Sequence, residues 1–362
     1  ELQKALAELG EVNKTVRGEI MKPSRENAQN PKSKPKNKLQ VSISNLQEYK
    51  KGDMVATRQA YGNALVRIFP KFPEMVVLDA EVSNSTYAEI FKKAYPERFF
   101  EMFIAEQNMV GTAVGLTRRG KLPFVSTFAA FLTRAFDQIR MAQYSNVKIV
   151  FCGSHAGVSI GQDGPSQMGL EDLAMFRTIL NGIVLYPADA VCCEKLVELA
   201  ANHSGISYIR TTREKTPVIY DNKEEFQIGG SKVLRQSPKD KFTIVAAGIT
   251  LHEALKAADI LQKEGIAVRV VDLYSIKPID KKTLFLVAKE TKAIITVEDH
   301  YVQGGLGEAV KSALMEFRSQ SVCVPVYSLA VHRIPGSGKP QELLEFEDIS
   351  ANAIIKNIKA LL

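Results

Sequence analysis

From residue 53 onward the sequence alternates apolar runs of strand length with amphipathic stretches of helix length, a pattern that admits few folds other than a layered α/β structure. In the first stretch the expected helices cover residues 57–69, 86–94, 107–116, 128–144, 170–177 and 188–201. The expected strands cover 75–79, 102–105, 122–127, 147–152, 182–186 and 206–210. These strands are apolar nearly throughout, so both faces are covered and the sheet is mostly parallel. After about residue 224 the pattern restarts, with strands at 242–247, 267–273, 293–297 and 322–327 and helices at 250–263, 280–288, 307–317 and 350–361. The chain therefore reads as two consecutive three-layer α/β domains, 53–222 and 223–362, behind a basic leader, 1–52. Ligands on such sheets sit beyond the C-terminal strand ends.

Charge is the feature most open to misreading. The net charge of +7 invites a nucleic-acid partner, but residues 1–52 hold eleven Lys and Arg against six Asp and Glu, so +5 of it is in the leader. Tyr49 is the one aromatic residue among these charges, so there is no aromatic interleaving, and the run 27–38 (NAQNPKSKPKNK) has the Pro, Asn and Lys content of a solvated tether. No nucleic-acid role follows. Residues 1–8 carry a short helical pattern, and the first residue is Glu, read as a processed, engineered or fragment start. No apolar run approaches membrane-spanning length. Of Cys152, Cys192, Cys193 and Cys323 only the adjacent pair is close in sequence, which suits neither a disulfide nor a metal knuckle. A reducing, cytoplasmic compartment is expected, with no metal held by this chain.

The stretch 103–111 holds the residue most in need of explanation. Glu106 follows the apolar Met102-Phe-Ile-Ala105, read as the end of a buried strand, and opens a helix rich in Gly and Ala. A carboxylate there is either a helix cap at the positive end of the dipole or a shielded group able to exchange a proton with a ligand nitrogen. At other strand ends lie Ser83-Asn-Ser-Thr86, Arg210-Thr-Thr-Arg213 and the long loop 153–167, which carries His155, Asp163 and Gln167. With Arg58 they offer guanidinium, imidazole and hydroxyl donors suited to a phosphate. Asp163-Gly-Pro is also good turn chemistry, and a lone His is often structural. Gly304-Gly-Leu-Gly307 before a helix looks like a phosphate loop but lacks a dinucleotide fingerprint's third glycine, and tight-turn geometry explains it as well.

Five motifs in unbroken order then give a resemblance over residues 53–362. They are Ala105-Glu-Gln-Asn-Met109, Ser126-Thr-Phe-Ala-Ala-Phe131, Thr133-Arg-Ala-Phe-Asp-Gln-Ile-Arg140, Gly161-Gln-Asp-Gly-Pro-Ser-Gln167 and Val297-Glu-Asp-His300, and together they resemble transketolase. The resemblance implies the pyrimidine-binding and C-terminal domains of a thiamine-diphosphate enzyme, transferring a two-carbon ketol unit from a ketose phosphate to an aldose phosphate. Glu106 then matches the glutamate that hydrogen-bonds N1′ of the aminopyrimidine and drives its imino tautomer. Phe128 and Phe131 match the aromatic wall beside that ring, and equally suit core packing at i and i+3 of a helix. Arg58, Ser85, His155 and Arg213 match the residues that hold the sugar phosphate, while Asp163 and Gln167 match contacts to substrate hydroxyls. Gln167 donates a hydrogen bond but cannot titrate as the His of some members can. No Gly-Asp-Gly with its Asn-bearing segment is found, so Mg²⁺ and the diphosphate are expected on another domain or subunit. The implied partners are a second copy of this chain and that diphosphate-binding half, in a two-plus-two assembly. Related thiamine-diphosphate enzymes, such as a deoxyxylulose-phosphate synthase or a 2-oxoacid dehydrogenase β chain, would share Glu106, and a non-catalytic assembly subunit would share the fold.

Overall fold

The computed structural model describes residues 2–10, 48–316 and 324–362. The chain divides into two units, Glu1–Ser42 and Ile43–Leu362. In the first, the helix Leu2–Leu9 takes up the helical pattern expected there. The expected tether at 27–38 and Cys323 lie outside the described residues.

The second unit contains both α/β domains. Seven strands form the first sheet in the order Ser275–Lys277, Ile183–Leu185, Ile206–Arg210, Ile149–Ser154, Leu122–Phe128, Met75–Asp79, Phe99–Glu101. Every pairing is parallel except that of Ser275–Lys277 with Ile183–Leu185. The central strands are buried along their whole length because helices cover both faces. Thr57–Ile68 and Ala190–Asn202 pack Leu65, Ile68, Leu196 and Val197 on one side, and Glu106–Arg118 and Phe136–Tyr144 pack Met109, Ala113 and Ile139 on the other. A five-stranded second sheet runs Val326–Val331, Ala293–Tyr301, Phe242–Ala246, Val268–Asp272, Lys232–Arg235, parallel except at its last strand. One apolar cluster extends from Phe151 and Tyr208 to Val245 and Val271, joining the two sheets.

Several local expectations shift. The strand before Glu106 is Phe99–Glu101, and its last ladder bond is Met102 N to Asp79 O at 2.9 Å. Residues 102–105 are therefore not a buried strand. Phe103 takes φ 53° and is 64% exposed, and Ile104 is 79% exposed, because an edge strand has no further neighbour to hold them. The helix expected over 86–94 is broken at Tyr87 (φ 61°) into Ser83–Thr86 and Glu89–Ala94. Residues 128–144 are not one helix either: the strand runs on to Phe128, a 3₁₀ turn covers Phe131–Ala135, and the α-helix begins at Phe136. Ser275–Lys277, between the strand and helix expected at 267–273 and 280–288, leaves the second sheet and adds an antiparallel edge to the first. Tyr49, four residues before the expected domain start, is already buried and donates to Glu194 Oε1 at 2.6 Å.

Candidate functional site

In the register of the first sheet Phe128 stands beside Ser154, Gly153 beside Arg210 and Asp79 beside Glu101. The segments that leave these strand ends therefore meet at one edge, where α/β sheets place their ligand sites.

Glu106 is the first residue of its helix and is 3% exposed. No side chain caps this N-terminus, and Glu106 Oε2 is buried without a hydrogen-bond partner. The nearest cation is Arg134, whose Nε lies 3.8 Å away, beyond hydrogen-bond distance, on an exposed side chain of the Phe131–Ala135 turn. A buried acceptor without a partner costs about 1–3 kcal/mol, a cost that a donor brought to this oxygen would relieve. Thr127 Oγ1, one residue before Phe128, is likewise buried and unpartnered.

Beside it the aromatic rings form a layered wall. Phe128 and Phe131 stack at 5.0 Å with an 11° interplanar angle, although a strand end and a 3₁₀ turn supply them and not one helix. His155 stacks on Phe128 at 3.8 Å. Its Nδ1 shares a 2.9 Å hydrogen bond with Ser154 Oγ, and Nε2 lies 3.8 Å from Asp163 Oδ2. Burial, with the nearby Arg58 and Arg213 guanidinium groups, pulls the imidazole down to about 3, so it is neutral at physiological pH.

Arg58, Ser85, His155, Asp163 and Arg213 form one connected group. Arg58 Nη1 donates to Ser85 O at 2.8 Å and Nε to Arg213 O at 3.2 Å, while the guanidinium lies over the Tyr87 ring at 5.2 Å. Burial lowers the Arg58 pKa, and Arg213 adds to the effect. Arg213 Nη1 donates to Ile160 O at 2.8 Å, and its Nη2 lies 3.6 Å from Asp163 Oδ1. The Arg58 and Arg213 guanidinium groups are set against two carboxylates, Asp163 and Glu214, and offer several N–H donors at this mouth. Gln167 ends the 3₁₀ turn Pro165–Gln167, half-buried on the same loop.

Two neighbouring motifs are taken up by the fold. Arg210 is fully buried, bonded to Asp172 through Nε at 2.7 Å and through Nη2 to the carbonyls of Gly169 and Asp299, each at 2.9 Å. It cannot reach a ligand. In the Gly304–Gly307 run the amides of Leu306 and Gly307 donate to the Glu298 carboxylate at 2.5 and 2.9 Å. A Cβ on Gly305 would lie 1.9 Å from Glu298 Oε2, so glycine is required beside this buried carboxyl, pushed up to about 7, which sits where a phosphate would. Among the described residues no cluster of three or more His, Cys, Asp or Glu could hold a metal. Cys152, Cys192 and Cys193 are buried and unbridged, and no described helix is long and apolar enough to cross a membrane. Arg134 and Asp299 escaped the sequence reading as site neighbours, although both fall inside quoted motifs.

Two family models match the chain: "Transketolase, pyrimidine binding domain" over residues 53–218 and "Transketolase, C-terminal domain" over 231–354. The chain is similar to transketolase-like protein 2 of Mus musculus, 55% identical over 336 residues, covering 91% of this chain and 53% of that protein. It is similar to transketolase of Homo sapiens, 52% identical over 324 residues, covering 89% and 51%. It thus spans about half the length of these curated relatives. Among solved structures, a split-gene transketolase described as an inactive β4 tetramer superposes with a TM-score of 0.77 at 42% identity, covering 84% of this chain and 98% of that one. With both matched models in order along one chain and that likeness over nearly a whole solved subunit, the chain belongs to the transketolase family.

Proposed function

We propose that this chain is the pyrimidine-binding and C-terminal half, domains 53–222 and 223–362, of a transketolase acting in a reducing, cytoplasmic compartment. Together with a diphosphate-binding domain or subunit it moves a two-carbon ketol unit from a ketose phosphate to an aldose phosphate. The observation that carries this reading is the buried, unpartnered Oε2 of Glu106, 3.8 Å from Arg134 on the same 3₁₀ turn that supplies Phe131 to the Phe128–Phe131 stack. A carboxylate lacking a donor next to a flat apolar wall fits an aminopyrimidine ring, which offers a face to stack and a nitrogen to hold a shared proton. Thiamine diphosphate, when bound, supplies the carbon nucleophile of the ketol transfer, with Mg²⁺ and the diphosphate held by the other half.

The remaining residues act on the substrate. Arg58 and Arg213 present guanidinium donors, and neutral His155 an imidazole nitrogen, to the sugar phosphate, with Ser85 beside them. Asp163 and Gln167 hydrogen-bond the hydroxyls, orienting the chain of the sugar without titrating at Gln167. The exposed Phe103 and Ile104 next to Glu106 support a site completed by a partner surface. The likeness to a split-gene transketolase subunit supports a separate diphosphate-binding chain.

The test is reconstitution. Mixed with a diphosphate-binding transketolase subunit, thiamine diphosphate and Mg²⁺, the chain should convert xylulose 5-phosphate with an aldose phosphate. Turnover of pyruvate in place of the ketose phosphate would assign it to another thiamine-diphosphate enzyme, and absence of turnover in a verified complex would make it an assembly subunit.

A further inference from the structure

The loop that carries Asp163 and Gln167 begins in the first domain but is held by the second. Asp299 lies near the end of the Ala293–Tyr301 strand, where pairing with Val326–Val331 shifts register between Val297 and Tyr301. Such an irregularity re-aims side chains. The Asp299 carboxylate is fully buried and points out of its own sheet: Oδ1 accepts the Val158 amide at 2.7 Å and Oδ2 the Ser159 amide at 3.1 Å. These two amides open the 3₁₀ segment Val158–Asp163. Gly157 before them has φ 85°, and a Cβ there would lie 2.1 Å from Asp299 Oδ2.

The far end of the loop is tied to the same residue through its backbone. Arg210 Nη2 donates both to Asp299 O and to Gly169 O, and Gly169 O also accepts the Gly157 amide at 2.8 Å. The helix Pro340–Phe346 of the second domain packs against the Val158–Asp163 turn. One residue past the Asp299 contacts, Ile160 O receives Arg213 Nη1, and Asp163 faces both Arg213 and His155. One carboxyl group accepting two successive amides is a directional tie, even as burial pushes the Asp299 pKa up from the ordinary aspartate value.

We infer that Asp299 is a positioning residue, holding the loop 158–167 so that Arg213 and Asp163 are set for the sugar phosphate. The inference rests on the functional reading above only for its effect on catalysis. Its structural content is the tie between Asp299 and two amides 140 residues away in sequence.

The experiment has two arms. In the full chain, amide hydrogen exchange is followed for Asp299→Asn and, independently, for Gly157→Ala, which crowds the same carboxylate from the loop side. Exchange at Val158–Asp163 should rise about ten-fold or more in either variant while that of the Ile149–Ser154 and Ile206–Arg210 strands is unchanged. Unaltered loop exchange in a folded variant would overturn the inference, as would an equal rise throughout the sheet. In the reconstituted complex, Asp299→Asn should raise KM for a phosphorylated acceptor about ten-fold with a smaller change in kcat, and should blunt the added loss from Arg213→Ala. Strictly additive losses for the two substitutions would overturn the action through Arg213. Should the unmodified complex show no ketol transfer, the functional reading falls and the exchange arm alone decides the role of Asp299.

Discussion

The imidazole of His155 lies flat on the ring of Phe128, centroids 3.8 Å apart and planes within 11°. This contact joins the Phe128–Phe131 stack to the polar group of Arg58, Asp163 and Arg213, so the two parts of the site meet at one ring contact. Burial and two guanidinium neighbours hold His155 down to about 3. We therefore expect no inflection from His155 near pH 6.5 in the KM of phosphorylated sugars, and His155→Gln should leave the shape of the profile unchanged there, the sugar phosphate's own second ionisation at about 6 persisting in both. An inflection that disappears in this variant would contradict the neutral assignment.

Glu106→Gln should leave the fold intact and reduce turnover of the reconstituted complex by about 10²–10⁴, the range for loss of a positioned acid or base. The amide keeps the shape but cannot share the proton. Steady-state ketol transfer measured alongside the melting temperature decides it, and near-normal turnover would remove Glu106 from the chemistry.

The two arginines of Arg210-Thr-Thr-Arg213 should separate. Arg213 is partly exposed at the mouth, so Arg213→Ala should weaken phosphorylated substrates by about 1.5–3 kcal/mol and leave non-phosphorylated acceptors little changed. Arg210 is sealed with Asp172, so Arg210→Ala should instead destabilise the chain by about 3–5 kcal/mol. Comparing KM values with urea midpoints for both variants checks the division, and an equal kinetic loss for both acceptor classes would make Arg213 structural.

Stability should fall on acidification partly through His300. Burial, opposed by Asp172 and reinforced by Arg210, lowers its pKa from 6.5 to about 4. The unfolded chain then binds more protons between these values, so stability rises with pH across the window and is lost as pH drops through it. His300→Asn should make the slope of urea midpoint against pH shallower, removing on the order of 2–3 kcal/mol of the pH 4 to 7 difference. An unchanged slope would show that His300 does not titrate this way.

Purified alone, the chain should be a homo-oligomer with little ketol transfer and weak thiamine diphosphate binding, since the diphosphate and Mg²⁺ contacts are assigned to the other half. Native mass spectrometry with calorimetric titration of the cofactor, before and after adding a diphosphate-binding subunit, measures this. Full activity without that subunit would refute the divided site.

The layered α/β class, the parallel central strands and the position of Glu106 at a helix start were legible in the sequence, because apolar period and length are local properties written into each segment. So were the groups at the strand ends, since a parallel sheet brings successive C-terminal ends to one side whatever the strand order. Local pattern failed where pairing decided. Phe103 and Ile104 have the apolarity of a strand interior, yet the sheet ends before them and leaves them in solvent. Three residues at Ser275–Lys277 carry too little signal to reveal that they cross to the other sheet. The fates of the two glycine-rich runs were tertiary as well: Glu298 fills the amides of one, and Asp299 ties down the other across 140 residues of chain. A carboxylate's reach is set by where the sheets bring it, and that follows from packing two domains into one unit, which no single stretch of sequence encodes.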